Sequence, residues 1–187
     1  MTDRVRAYNP IPNQMEKEDA EMSNPMVEVY RQQLKLCRNE TLRVAGEVKP
    51  EQRLVQLREG KAHPMWLVGH LTSTINSVTL QWMLGKGSLV PKGYGRTFAP
   101  DFAGGTPITN KPEDYPEWDE VVALYSRVMD AAIEGIASIP DEDLDLPLKG
   151  AMPEGLRSFF STNGKTLAIM ASHDSYHRGQ IGLLSHL

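Results

Sequence analysis

The sequence contains a single cysteine, Cys37, so no disulfide bond can form within the chain. A lone thiol fits a reducing compartment, where disulfides are rare. Because Cys37 falls at a helical step among apolar residues, we interpret it as a small buried side chain rather than a reactive nucleophile.

Long hydrophobic runs and an excess of one charge are also missing. No stretch reaches the roughly 18 consecutive apolar residues that a membrane span requires, and the N-terminal segment lacks the apolar core of a secretory signal. The chain carries 20 Lys and Arg against 24 Asp and Glu, with the cations scattered along it. We therefore expect a cytoplasmic protein that binds neither membranes nor nucleic acid.

The length of the chain is suited to one domain. Its 187 residues, 40% of them hydrophobic, are enough to build one sizeable core and too few for two ordinary ones. We expect a single helical domain over residues 1–187, with residues 1–23 forming an extended arm ahead of the first helix.

Apolar residues recur at steps of three and four along four segments, the spacing that lines one face of a helix. The four predicted helices cover about 24–48, 63–84, 117–138 and 163–187. Asn24 and His63 each precede a proline, the arrangement of an N-cap residue followed by proline at the first helical position. No alternating pattern is strong enough to demand a strand, so we predict an all-α fold.

The spacing also predicts which residues face the core. In the first two helices these are Met26, Tyr30, Leu34, Cys37, Thr41, Val44 and Val48, then Leu67, Leu71, Thr74, Val78 and Trp82. In the last two they are Val121, Tyr125, Val128, Ala132 and Ile136, then Leu167, Met170, His173, His177, Ile181 and Leu184. Helices with a single apolar face must pack together, which favours a four-helix bundle.

A connector rich in glycine and proline, residues 85–116, joins the second and third predicted helices. Structureless segments of this length are uncommon inside compact domains, and many are functional. One interpretation is a long crossover, since parallel neighbouring helices cannot be joined by a short turn. Another is a lid or wall over a pocket, and one segment can serve both purposes.

Three histidines are predicted to face the interior of this bundle. His173 and His177 are four residues apart, so they project from one face of the last helix, on its apolar stripe. Each unpaired imidazole buried there costs about 1–3 kcal/mol, so hydrogen bonds or a metal ion must satisfy them. His70 borders the inward face of the second helix, and side chains of facing helices converge in a bundle core. We therefore predict a metal site formed by these three residues.

Other residues are candidates for a supporting role around this site. Gln180 lies on the same face as His177, where it could orient a ligand histidine or fix helix packing. Trp66, one turn before His70, could wall a substrate pocket or simply pack in the core. His63 is a predicted N-cap that could also approach the site, whereas His186 lies at the chain end.

The motifs around these histidines resemble those of the DinB/YfiT-like family of helical-bundle metalloproteins. The matching residues are Gly69-His70-Leu71 on the second helix and His173-Asp174-Ser175-Tyr176-His177-Arg178-Gly179-Gln180 on the fourth. The resemblance extends from about residue 24 to the end of the chain. It implies a four-helix bundle with a long crossover between helices 2 and 3, in which His70, His173 and His177 hold a divalent ion, often nickel or zinc.

The resemblance also implies partners and a class of reaction. Many members of that family are thought to be homodimers, and its better understood branches transfer low-molecular-weight thiols to electrophiles or isomerise substrates with the help of a thiol. Arg96 or Lys92 in the connector could bind a polar group of such a thiol. Two alternatives stay open: a metal-dependent hydrolase of a small ester or amide, and a non-catalytic protein that binds metal or ligand under stress.

Peptide hydrolysis is disfavoured by the residue that follows His173. The metalloprotease motif HExxH places a glutamate general base there, and this chain has Asp174, whose shorter side chain should point away from the ligand face. Three neutral imidazoles would leave open coordination positions for a substrate or for water.

Overall fold

The computed structural model describes residues 24–187, in which four long helices form a bundle and no strand occurs. The helices are α1 (Pro25–Glu47), α2 (Pro64–Thr74), α4 (Trp118–Ile136) and α5 (Asn163–Leu184), with a short α3 (Tyr94–Thr97) in the connector. None of these helices is both long and apolar enough to cross a membrane. The predicted all-α class and the long crossover are confirmed, and the predicted arm, residues 1–23, lies outside the described residues.

The packing order places the predicted metal ligands on adjacent helices. Both α1 and α2 pack against α4 and α5, so α1 and α2 occupy opposite corners of the bundle. The connector carries the chain from α2 to its neighbour α4. Because α2 and α5 are also neighbours, residues on their facing sides meet inside the bundle.

The second helix has the predicted extent, but its last part is not α-helical. After Thr74 the chain continues as nine residues of π-helix, Ile75–Met83, in which each hydrogen bond reaches one residue further than in an α-helix. Inside this π-helical part the predicted core residue Val78 is buried, but Trp82 is only half-buried and its neighbour Met83 is buried instead. A prediction based on a period of 3.6 residues is therefore displaced by one position at Trp82. Thr74, the last α-helical residue, is also half-buried, and the adjacent Ile75 is buried.

The first helix begins where it was predicted, but its cap comes from elsewhere in the chain. The side chain of Asn24 accepts a hydrogen bond from the Asp141 amide instead of capping its own helix. The Asp141 carboxylate in turn accepts from the Met26 and Val27 amides, each at 2.9 Å. Val27 is consequently turned into the core, whereas the predicted core residue Met26 is half-exposed. A carboxylate at this position also complements the positive end of the helix dipole.

The cysteine lies inside the bundle, as the sequence indicated. Cys37 is buried, and its Sγ lies 3.6 Å from the carbonyl oxygen of Ala171 on α5. Burial raises the pKa of the Cys37 thiol, with the nearby Asp174 carboxylate adding to the effect. The thiol therefore stays protonated and serves as a small packing group between α1 and α5.

Candidate metal centre

The three predicted ligands come together between α2 and α5. His70, His173 and His177 each offer a ring nitrogen, and these three nitrogens all lie within 4.8 Å of one another. Nε2 of His70 and Nε2 of His173 are 3.1 Å apart. The ring of His177 lies 4.9 Å from that of His70 and 4.5 Å from that of His173, measured between centroids. All three side chains are half-buried.

The connector holds the ring of His70 in place. Gly69 has no side chain, which leaves room for the fully buried ring of Phe98 against α2. The carbonyl oxygen of Phe98 then accepts a hydrogen bond of 2.8 Å from Nδ1 of His70. Because a carbonyl can only accept, Nδ1 carries the hydrogen and Nε2 presents its lone pair towards the other histidines. The connector therefore forms a wall beside the site as well as a crossover.

An aromatic side chain supports the same imidazole from the preceding helical turn. Trp66 is buried and stacks on His70, with ring centroids 4.7 Å apart and planes within 9°. Its indole Nε1 donates to the carbonyl oxygen of Thr97, 3.2 Å away. Both interpretations of Trp66 are therefore compatible with its position, since it packs in the core while covering one face of His70.

On α5 the two histidines differ in how their second ring nitrogen is satisfied. Nδ1 of His177 donates to Oε1 of Gln180 at 2.6 Å, which leaves the other nitrogen of His177 free. Gln180 thus contacts the ring that the sequence suggested it could orient. Nδ1 of His173, in contrast, is buried without any hydrogen-bond partner. Nδ1 is therefore held by a hydrogen bond in His70 and in His177, but not in His173.

Burial keeps these imidazoles in the form that binds metal. Desolvation lowers the pKa of His70 to about 4 and that of His173 to about 3, and it also lowers the pKa of His177. For His173 the neighbouring histidines add to the effect. The three rings are therefore neutral near pH 7, as nitrogen ligands of a metal must be.

Two further histidines lie elsewhere. His63 is fully buried at the start of α2, where Nδ1 accepts from the Trp66 amide at 3.1 Å and so caps the helix as predicted. Its Nε2 lies 2.9 Å from the carbonyl oxygen of Thr109, to which it donates, so His63 ties down the connector. His186 is exposed beyond the end of α5. Neither belongs to the histidine cluster.

The pH dependence of stability should reveal these buried imidazoles. A histidine whose pKa is lower in the folded state binds fewer protons than it does unfolded, so stability is lost as pH falls below the unfolded value of 6.5. We expect the metal-free protein to lose stability from about pH 6.5 towards pH 4, measured as the urea midpoint at several pH values.

A variant of His63 separates the contribution of this histidine to the pH dependence from that of the other histidines. Burial lowers the pKa of His63 to about 4, and His63→Asn removes that titration while keeping a residue that can cap α2. The loss of stability between pH 6.5 and 4 should be smaller in this variant than in the parent. Equal losses in the two proteins would contradict the assignment of a low pKa to His63.

Sequence reasoning missed the surroundings of the acidic residue beside His173. Asp174 faces away from the histidine cluster, but it is completely buried among polar side chains of α1 and α4. Its carboxylate accepts from Tyr125 OH at 2.6 Å and from Thr41 Oγ1 at 2.8 Å. An available signal was that Thr41 and Tyr125, both with hydroxyl groups, fell on predicted core stripes.

Gly179 and Tyr176 lie near the cluster on α5. A Cβ atom at Gly179 would meet nothing within 4 Å, so the helix packing does not require a glycine there. Tyr176 is exposed, with its ring 5.0 Å from the ring of His177. This side of α5 therefore faces open space next to the cluster.

Comparison with known proteins supports the relationship that the motifs suggested. The family model described as the DinB superfamily matches residues 33–181, which is most of the chain. The match includes the three clustered histidines and the whole connector. A search of curated proteins finds no match to this chain.

Proposed function

The chain belongs to the DinB superfamily, and we propose that it is a divalent-metal-dependent enzyme that transfers a small thiol to an electrophilic substrate. The observation that supports this most is the convergence of three neutral imidazole nitrogens from α2 and α5. His70, His173 and His177 would be the ligands of the ion, with nickel or zinc as the candidates.

The donor set suits such an ion. Imidazole nitrogens bind zinc and nickel well, and three of them leave positions open for other ligands. When bound, the ion would lower the pKa of a coordinating thiol and so make a good nucleophile available near pH 7. Phe98 and Trp66 orient His70 and keep water away from its face and from its Nδ1.

Thiol transfer is favoured over hydrolysis because the histidine cluster of the described residues includes no carboxylate. Asp174, their neighbour in sequence, is fully buried and its oxygens are occupied by Tyr125 and Thr41. In metal-dependent hydrolases of the HExxH type a carboxylate base assists the attack of water, whereas a thiolate sulfur attacks an electrophilic carbon directly and the leaving group departs with its electron pair.

The structure offers a candidate binding residue for the thiol on the connector and a candidate surface for a second subunit on α1. Arg96 is exposed on the connector two residues before Phe98, where it could bind a carboxylate on the thiol compound. The homodimer that the family resemblance implies could use the apolar side chains exposed on α1, which are Met26, Val29 and Leu36.

Two measurements on the purified protein test this function. Elemental analysis should find close to one divalent transition metal per chain. Incubation of the metal-loaded protein with a panel of cellular thiols and a chromogenic electrophile should give turnover with at least one thiol, and chelation should abolish it. Metal binding without turnover for any thiol would reject the transferase, and absence of metal would reject the metal centre itself.

A further inference from the structure

The three imidazoles of the cluster are not held in the same way. Phe98 accepts from His70, and Gln180 accepts from His177, so each of these rings is fixed by a direct hydrogen bond. Nδ1 of His173 is buried with no such partner. A ligand of a metal site must be held within about 0.5 Å and 10–20° of its working position, so something else has to fix His173.

The next residue along α5 has the contacts that His173 lacks. Asp174 is 0% exposed, and it is the only buried carboxylate among residues 24–187. Its two oxygens bind Thr41 on α1 and Tyr125 on α4, and the guanidinium of Arg178, one turn later, lies 3.7 Å away. A helix is stiff, so fixing Asp174 from two sides also fixes the rotation of α5 about its axis at His173.

We propose that Asp174 is the positioning residue for His173 in the metal centre, acting through the backbone of α5. The Asp174 carboxylate and its two hydroxyl partners set the turn of α5 on which His173 lies. This inference rests on the proposed metal site, but it concerns residues that do not touch the ion.

The energetics of burial argue against a role in stability alone. Placing a carboxyl group in the core is unfavourable because the group loses its hydration, and apolar residues of similar volume often serve stability equally well or better. A buried carboxyl group held by two directed hydrogen bonds does fix one helix orientation, which apolar packing specifies less sharply. The salt bridge Arg38–Asp130 also joins α1 and α4, but it lies at the surface and does not involve α5. Asp130 therefore provides a control for the loss of an interhelical carboxylate contact.

Cobalt binding tests the proposal, because its visible absorption reports ligand geometry as well as affinity. The dissociation constant of Co²⁺ should rise about 10-fold or more in Asp174→Asn, the range seen when contacts supporting a metal ligand are removed. Tyr125→Phe and Thr41→Val each remove one hydroxyl and should give smaller increases, with altered spectra. Gln180→Ala removes a direct hydrogen bond to His177, so its increase in the Co²⁺ dissociation constant is the value with which the other increases are compared. Asp130→Asn should leave the affinity and the spectrum unchanged.

A double-mutant cycle separates positioning of His173 from a general effect on the fold. In a His173→Ala background, Asp174→Asn should weaken the residual Co²⁺ binding by a clearly smaller factor than it does in the parent protein. An unchanged affinity and spectrum in Asp174→Asn, with only a lower melting temperature, would overturn the inference and leave the metal site intact. If that variant does not fold, unchanged spectra in both hydroxyl variants overturn it. If the unaltered protein binds no cobalt, the proposed metal site fails and the inference fails with it.

Discussion

Replacing His70 with alanine is expected to weaken divalent-metal binding by at least ~100-fold, beyond the 10–100-fold typical for losing a supporting contact. The variant keeps only His173 and His177, both on α5, so the ion loses the ligand that α2 contributes. His177→Ala should give a similar loss. Metal content after gel filtration and titration of the metal-free protein by calorimetry would measure both effects.

His186→Ala is the matched control for these two variants. His186 is exposed beyond the end of α5 and lies outside the cluster, so its removal should leave the metal content unchanged. Circular dichroism would verify that each variant keeps its helices. Metal content equal to that of the parent in both His70→Ala and His177→Ala would rule out the proposed ligand set.

Substitution of Gly69 by alanine should disturb both stability and the metal site. A Cβ atom there would lie 2.2 Å from the ring of Phe98, which is fully buried and has little freedom to move. Overpacking of this kind typically costs about 1–3 kcal/mol. Because the Phe98 carbonyl accepts from His70, displacement of Phe98 should also weaken metal binding.

Gly179→Ala provides a control of identical chemistry. It is also a helical glycine near the cluster, but nothing lies within 4 Å of its Cβ position. Alanine is favoured over glycine in a helix by up to about 1 kcal/mol, so this variant should be slightly more stable than the parent. Equal melting temperatures for the two alanine variants would show that Gly69 is not required for the packing of Phe98.

The local pattern of the sequence was enough to place the long helices and to select the three histidines. Helix limits follow from apolar spacing and from prolines such as Pro25 and Pro64, which act over a few residues. His70 and His177 stood out because imidazoles on an apolar stripe need a partner. The family match over residues 33–181 supports the same fold.

Some features depended on partners distant in the chain and could not be predicted. Asp141 caps α1 from more than a hundred residues away, so no local cap signal identified it. The π-helical turns Ile75–Met83 change the period of α2, which a stripe of fixed period cannot anticipate. At the start of α1, a tertiary contact supplies the cap that local propensity does not signal.

The sequence by itself determined an all-α fold and selected three histidines as candidate metal ligands, since helical periodicity and ligand chemistry are properties of individual residues and their spacing. Only the tertiary structure decided how each imidazole is held: Nδ1 of His70 by the connector, Nδ1 of His177 by Gln180, and Nδ1 of His173 without a hydrogen-bond partner. It also decided that Asp174 is buried against α1 and α4. A hydrogen bond between distant segments depends on how the helices pack, and that packing is fixed by the core as a whole.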